Sequence, residues 1–234
     1  MGLRRKLCKA FAAGFVLLVA IPLLPPSSAD PGVLVWDLSG SPYHITGTYT
    51  TPSGSHFVIE DGVQVLMGPG AVLHSAGTID VRGGTLGVTF TSDGAHYPGY
   101  WGILLLGGGG TVRGARFDSA SRAIHSLGPL AVSDSTFEGN GMGVYAQLAR
   151  ADLERVVARG GSVGFYWDHA PGSITDADIS GATWGVYLYA PNSDVAVTRV
   201  NVHDMKTDSY GVTTINNRPV IRESVLAARI SVFL

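Results

Sequence analysis

Apolar residues along this chain arrive in short, β-branched runs divided by small polar residues and by glycine. No stretch sustains apolar positions at i, i+3, i+4 and i+7 without a glycine breaking it, so the pattern predicts short strands and tight turns rather than helices. The runs also keep time. "GVY" at Gly143–Tyr145 returns as "GFY" at Gly164–Tyr166, "GVY" at Gly185–Tyr187 and "GVT" at Gly211–Thr213. "WGI" at Trp101–Ile103 and "RAI" at Arg122–Ile124 extend the series upstream. The small residues Gly102, Ala123, Gly143, Gly164, Gly185, Gly211 and Ser231 follow one another at steps of 21, 20, 21, 21, 26 and 20. A second apolar marker runs through Val112, Val132, Leu153, Ile174, Val197 and Val220. A third, Phe117, Phe137, Ala158 and Ile179, sits six residues before each small residue.

A unit of this length holds two or three strands and cannot bury an apolar face alone, whereas stacked copies can, each strand pairing with its equivalent about 4.8 Å away. The expectation is an all-β solenoid of about nine coils in which equivalent side chains form columns. Val144, Phe165 and Val186 then point inward, the tyrosines outward, and the glycines sit at a bend. Two residues after the second marker come Gly114, Asp134, Arg155, Asp176, Arg199 and Arg222. Stacked on an exposed face, this column makes a ladder of acid and base.

The stretch from Ser41 to Leu105, with a coil ending in "DGV", a coil ending in "RGGT", then "VTFTS" and "WGI", is similar to the entry of the right-handed parallel β-helix repeat proteins. The chain from 41 to 234 resembles that pectin-lyase-like group of secreted and cell-surface bacterial proteins. The resemblance implies fold rather than activity, since the same coil serves lyases, hydrolases, epimerases and adhesins.

The first 29 residues carry Arg4, Arg5, Lys6 and Lys9 ahead of an apolar run from Ala10 to Leu24 and end in "SSA", which is the pattern of a signal peptide cut after Ala29. Residues 30–40 are read as a linker and 41–234 as the β-helix, with no evident C-terminal cap. Ser231-Val232-Phe233 repeats the marker in mid-coil, so the expectation is a missing segment or self-association at the open end. Losing the four leader charges takes the net charge from −2 to −6, a poor balance for binding nucleic acid. The one cysteine, Cys8, leaves with the leader, and no later run is long enough to span a membrane.

Candidate chemistry is sparse. The insertion that stretches one step to 26 contains His203, Asp204, Lys206 and Asp208, a possible acid-base set on an outward loop, or simply a solvated loop. Asp176 and Asp178 share a strand, but Arg155 and Arg199 neighbour Asp176. His125, Tyr145, Tyr166 and Tyr187 form an outward column with Asp168, His169 and Tyr189 beside it: a platform for sugar rings, or an ordinary stacking ladder. His44, His56, His74 and His96 show no metal-ligand spacing. The reading is a secreted or cell-surface β-helix, without an evident catalytic motif or cofactor, that presents an elongated face to polysaccharide or cell-surface glycan. The alternatives are a polysaccharide lyase, for which the family resemblance implies calcium, or a glycoside hydrolase, and, thirdly, a structural or adhesive rod.

Overall fold

The computed structural model describes residues 32–94, 101–189, 194–216 and 218–233; the expected signal peptide and His96 lie outside them. The described chain is all-β apart from one short 3-10 turn at Leu38–Gly40. Its strands pair only in parallel, each with equivalents one coil before and one coil after. One coil shows the plan: Leu130–Ser133, Thr136–Glu138, then Met142–Gln147. We call the three stacks of equivalents the first, second and third ladder. The third ladder is a sheet of nine strands, hence nine coils. The first and second ladders join into one sheet because Gly172–Ser180 and Val195–His203 run unbroken around the corner between them. Val33–Trp36, inside the expected linker, already pairs with His56–Ile59. Trp36 is buried and stacks on Tyr43 at 4.4 Å, closing the first coil with an aromatic pair.

The core is three inward rows, one per ladder. Val112, Val132, Leu153, Ile174 and Val197 lie in register and are buried. Phe117, Phe137, Ala158 and Ile179 do the same, and the row extends upstream to Phe90. Phe90, Phe117 and Phe137 stack nearly parallel at 4.7 and 5.2 Å. Where that row narrows to Ala158, Phe165 from the third ladder meets Phe137 edge-on at 5.6 Å. Ile124, Val144, Phe165, Val186 and Val212 complete the third row, as the repeat predicts.

Three details of register differ from the sequence reading. A bulge between Arg122 and Ile124 places Leu104, not Ile103, over Ile124, so Gly102 is not above Ala123. In the last coil Ile221, not Val220, pairs with Val197. The charged column therefore ends in Glu223 rather than Arg222 and alternates strictly: Asp134, Arg155, Asp176, Arg199, Glu223.

Nor does that column lie on a flat face. All five residues have φ near +50°, as does Gly114 at +60°, and they turn the chain between the first and second ladders. Ser119, Gly139, Gly160, Gly181 and Asp204 turn it between the second and third ladders, and Leu148, His169 and Asn216 turn it back toward the first. All ten positive-φ residues other than glycine among the described residues sit at these three corners.

The glycines of the "GVY" motif do something else. A Cβ built on Gly164 would lie 2.5 Å from the Gly185 carbonyl oxygen, and Gly143, Gly185 and Gly211 face the next coil's carbonyl in the same way. Glycine is required there by close approach of backbone to backbone, not by a left-handed bend. Gly164→Ala should therefore lower stability by about 1–3 kcal/mol through overpacking. Gly47→Ala, where a Cβ meets nothing within 4 Å, should change it little. Urea unfolding of the two variants is the measurement.

Candidate functional site

The outward side of the third ladder carries two columns separated by the glycine row. The strand period of two would place successive outward residues two apart. Here the tight glycine backbone spreads them to three, Met142 and Tyr145 in one coil, Val163 and Tyr166 in the next, Trp184 and Tyr187 in the third. Between the columns lies a depression of ≈ 290 Å³ lined by Met142, Val163, Tyr166, Trp184 and Tyr187.

The predicted aromatic column is present and in register. His125 and Tyr145 are 4.5 Å apart, Tyr145 and Tyr166 are 5.0 Å, and Tyr166 and Tyr187 are 4.8 Å, the first tyrosine pair stacked and the second edge-on. These spacings are the strand spacing itself. The facing column adds Trp184 stacked on Tyr210 at 6.1 Å.

Asp168 is the polar centre of this face. Its Oδ2 accepts from the Tyr145 hydroxyl at 2.6 Å and from Gln147 Nε2 at 3.2 Å, while its Oδ1 pairs with His169 Nδ1 at 2.6 Å. Gln147 reaches on to His125 Nε2 at 3.3 Å, and His169 stands edge-on to Tyr189 at 5.3 Å. The Arg122 guanidinium lies 5.2 Å from the Tyr145 ring centroid. Burial works to raise the Asp168 pKa, but the hydrogen bonds from Tyr145, His169 and Gln147 outweigh it and hold the carboxyl below its ordinary value. Burial, then the bond to Asp168, pushes the Tyr145 phenol up. Burial and the Asp168 charge push Tyr166 up to about 12. Burial lowers His125 against the opposing Gln147 hydrogen bond. Tyr145 and Tyr166 are thereby held as phenols and His125 is biased toward its neutral form, beside the Asp168 carboxylate and the Arg122 guanidinium.

The sequence reading names His125, Tyr145, Tyr166, Asp168, Tyr187 and Tyr189, and the structure brings all six to this face. Gln147 and Trp184 belong with them. Trp184 directly precedes the motif glycine Gly185, as Met142 and Val163 precede Gly143 and Gly164, so its place follows from the repeat. Gln147 was legible only through its register partner Asp168.

The loop candidates do not assemble into one set. His203 Nδ1 pairs with Asp204 at 2.7 Å, and its Nε2 pairs with Asp178 of the preceding coil at 3.1 Å. Lys206 donates to the Gly161 carbonyl, and Asp208 pairs with Arg229. Asp176 is held by Arg199 at 2.6 and 2.8 Å, and Asp178 by Asn201 and His203, so the two aspartates do not share a site. Among the described residues no group of three or more His, Cys, Asp or Glu converges to hold a metal ion. A further depression, ≈ 560 Å³, lies on the first ladder around Asp80, Arg82, Thr111 and Arg113. Its charges are committed to one another: Arg82 bridges Asp80 and Glu60, and Thr111 donates to Asp80.

The chain matches no family model, no curated protein and no solved structure. The fold itself defines the class, a parallel β-helix repeat protein.

With both ring nitrogens on carboxylates, His203 is held as imidazolium and pins the 204–209 loop to the second ladder. The hydrogen bond to Asp204, and beyond it the one to Asp178, raise its pKa above the ordinary value of about 6.5. A raised folded-state value means this contribution is complete below about pH 6.5 and is lost as pH climbs past the raised value. Thermal unfolding across that window should show the parent protein losing stability as pH rises and His203→Gln losing none; parallel curves would refute the clamp.

Proposed function

We propose that this chain is a secreted or cell-surface β-helix protein, of the pectin-lyase-like group its sequence resembles, whose third ladder presents an elongated binding face to glycans. The observation that carries the reading is the continuous outward stack from His125 to Tyr187 beside an aromatic depression, with an ionised carboxylate at its edge. Pyranose rings present apolar C–H faces that lie on aromatic rings, while their hydroxyls need polar partners at the rim. The Tyr166 and Tyr187 hydroxyls make no hydrogen bond to other described residues and are available for that purpose. The lyase and hydrolase alternative has less support, because the best acid-base candidate, His203, has neither nitrogen free to take a proton.

Two outcomes test the reading. Mass spectrometry of protein recovered from the secreted fraction should show a chain beginning at Asp30; an intact leader would reject the secretory assignment. Tyr166→Ala should weaken retention on immobilised glycans by about threefold to tenfold, the scale of one lost aromatic contact, without loss of fold. Unchanged retention would move the site elsewhere.

A further inference from the structure

We infer that the aromatic groove holds its glycan lengthwise and selects a straight, equatorially linked chain over chains that turn, an inference that rests on the glycan-face reading and names its substrate class. The wall of Met142, Val163 and Trp184 and the wall of Tyr166 and Tyr187 are each assembled from consecutive coils, so the depression between them crosses the strands and follows the direction of stacking. Both walls continue past it. Arg122 and His125 stand one coil before Met142 and Tyr145, and Tyr210 and Thr213 one coil after Trp184 and Tyr187. Pairing holds one register through these five coils. On the upstream side the bulge ends the three-residue spacing: Ile103 and Leu105, which pair with Arg122 and His125, lie only two residues apart.

The floor between the walls is backbone. In the coils of Met142, Val163, Trp184 and Tyr210 it is formed by the motif glycine and the apolar residue after it, both buried. A Cβ on Gly143 would lie against the Phe137 and Phe165 rings of the core rather than point outward. No side chain from these positions therefore stands in the way of a ligand that runs lengthwise. One lying crosswise would have to climb both walls, and behind the tyrosines it would meet Gln147, Asp168 and Tyr189.

Ring spacing and ring orientation then choose the chain. Successive tyrosines are 5.0 and 4.8 Å apart, which is the strand spacing. Pyranose rings joined through equatorial bonds make a straight ribbon that advances by close to this distance per ring, so one ring rests at one coil and the next at its neighbour. An axial bond turns the chain, which leaves a straight track after one or two rings. The grip is strongest at Tyr187. Tyr166 meets Tyr145 face to face on one side, so in its contact with Tyr187 on the other side the edge belongs to Tyr187, and the faces of that ring lie outside the column's own stack. Trp184 of the same coil stands across the floor from it.

The test is calorimetry on the whole secreted chain with cello-, chito- and manno-oligosaccharides, all straight, against malto-oligosaccharides and oligogalacturonates, whose axial bonds turn the chain, each as a series of increasing length. The expected result is that the tightest straight series binds about tenfold more tightly than either axial series of equal length, the scale of one or two aromatic contacts that a turning chain forfeits. Its affinity should climb with each added ring until the chain spans the five coils of the trough, and then level off. Trp184→Ala should weaken that series about threefold to tenfold with an unchanged circular dichroism spectrum; should the variant fail to fold, the comparison of linkages on the parent protein decides. An axial series that binds as tightly as the best straight one, or an affinity that stops climbing at the disaccharide, overturns the inference while leaving the glycan face standing. Binding by none of the series overturns both.

Discussion

Backbone hydrogen bonding between coils is the constraint on which everything else here depends. Each coil is too short to satisfy its own N–H and C=O groups, so every strand must lie one strand spacing from its equivalent, in parallel and in register. A slip of one residue would exchange the inward row of Val144, Phe165 and Val186 for the outward tyrosines, which makes the register all-or-none. The spacing of 4.5–5.0 Å between His125, Tyr145, Tyr166 and Tyr187 is thus inherited from the backbone. So is the crowding that leaves room only for glycine beside the next coil's carbonyl.

Turning three corners per coil has a cost that the side chains offset. A left-handed residue other than glycine is unfavourable by about 1–2 kcal/mol, and ten are used among the described residues. At the first corner the exposed groups pair between coils: Arg155 with Asp134 at 2.7 Å, Arg199 with Asp176 at 2.6 Å, and Arg199 with Glu223 at 3.9 Å. Exposed pairs contribute only about 0.2–1 kcal/mol each, so the ladder does more to hold equivalent corners over one another than to stabilise the fold. Buried groups act more strongly. The buried Asn140 side chain accepts from the Ala120 N–H and donates to the Phe117 carbonyl of the preceding coil. Burial of both ends of these bonds makes their loss more costly than that of a surface ion pair. At the surface, Asp61 accepts three N–H bonds from the loop at 84–87.

The fold was legible in the sequence because the repeat writes the same residue types at the same phase, and the inward rows follow directly from it. The corners were not. Nothing in the letters of Asp134, Arg155 or Leu148 announces positive φ, since the tertiary stacking imposes it and propensity does not. The slip at Glu223 and the bulge at Ala123 escaped because a one-residue change in turn length leaves an apolar neighbour, Val220 or Ile103, plausibly in phase. The aromatic column of the candidate face was legible as a column, whereas its hydrogen-bonded centre was not. Asp168 meets Tyr145 diagonally, two positions further along a neighbouring coil, a relation that periodicity alone does not single out. His203 was visible as a candidate proton carrier, but its partner Asp178 comes from the preceding coil and ends that role by occupying the second nitrogen.

The glycine row has a consequence for how such a chain can change length. A residue inserted within a strand must be thrown out as a bulge, as at Ala123, or it shifts every column beyond it, while an extra residue at a corner is absorbed in a loop, as at 204–209. Gain or loss of one whole coil leaves all rows continuous. Growth by duplication is therefore quantised, and each added unit would extend the aromatic groove by one further ring position rather than reshape the positions already present.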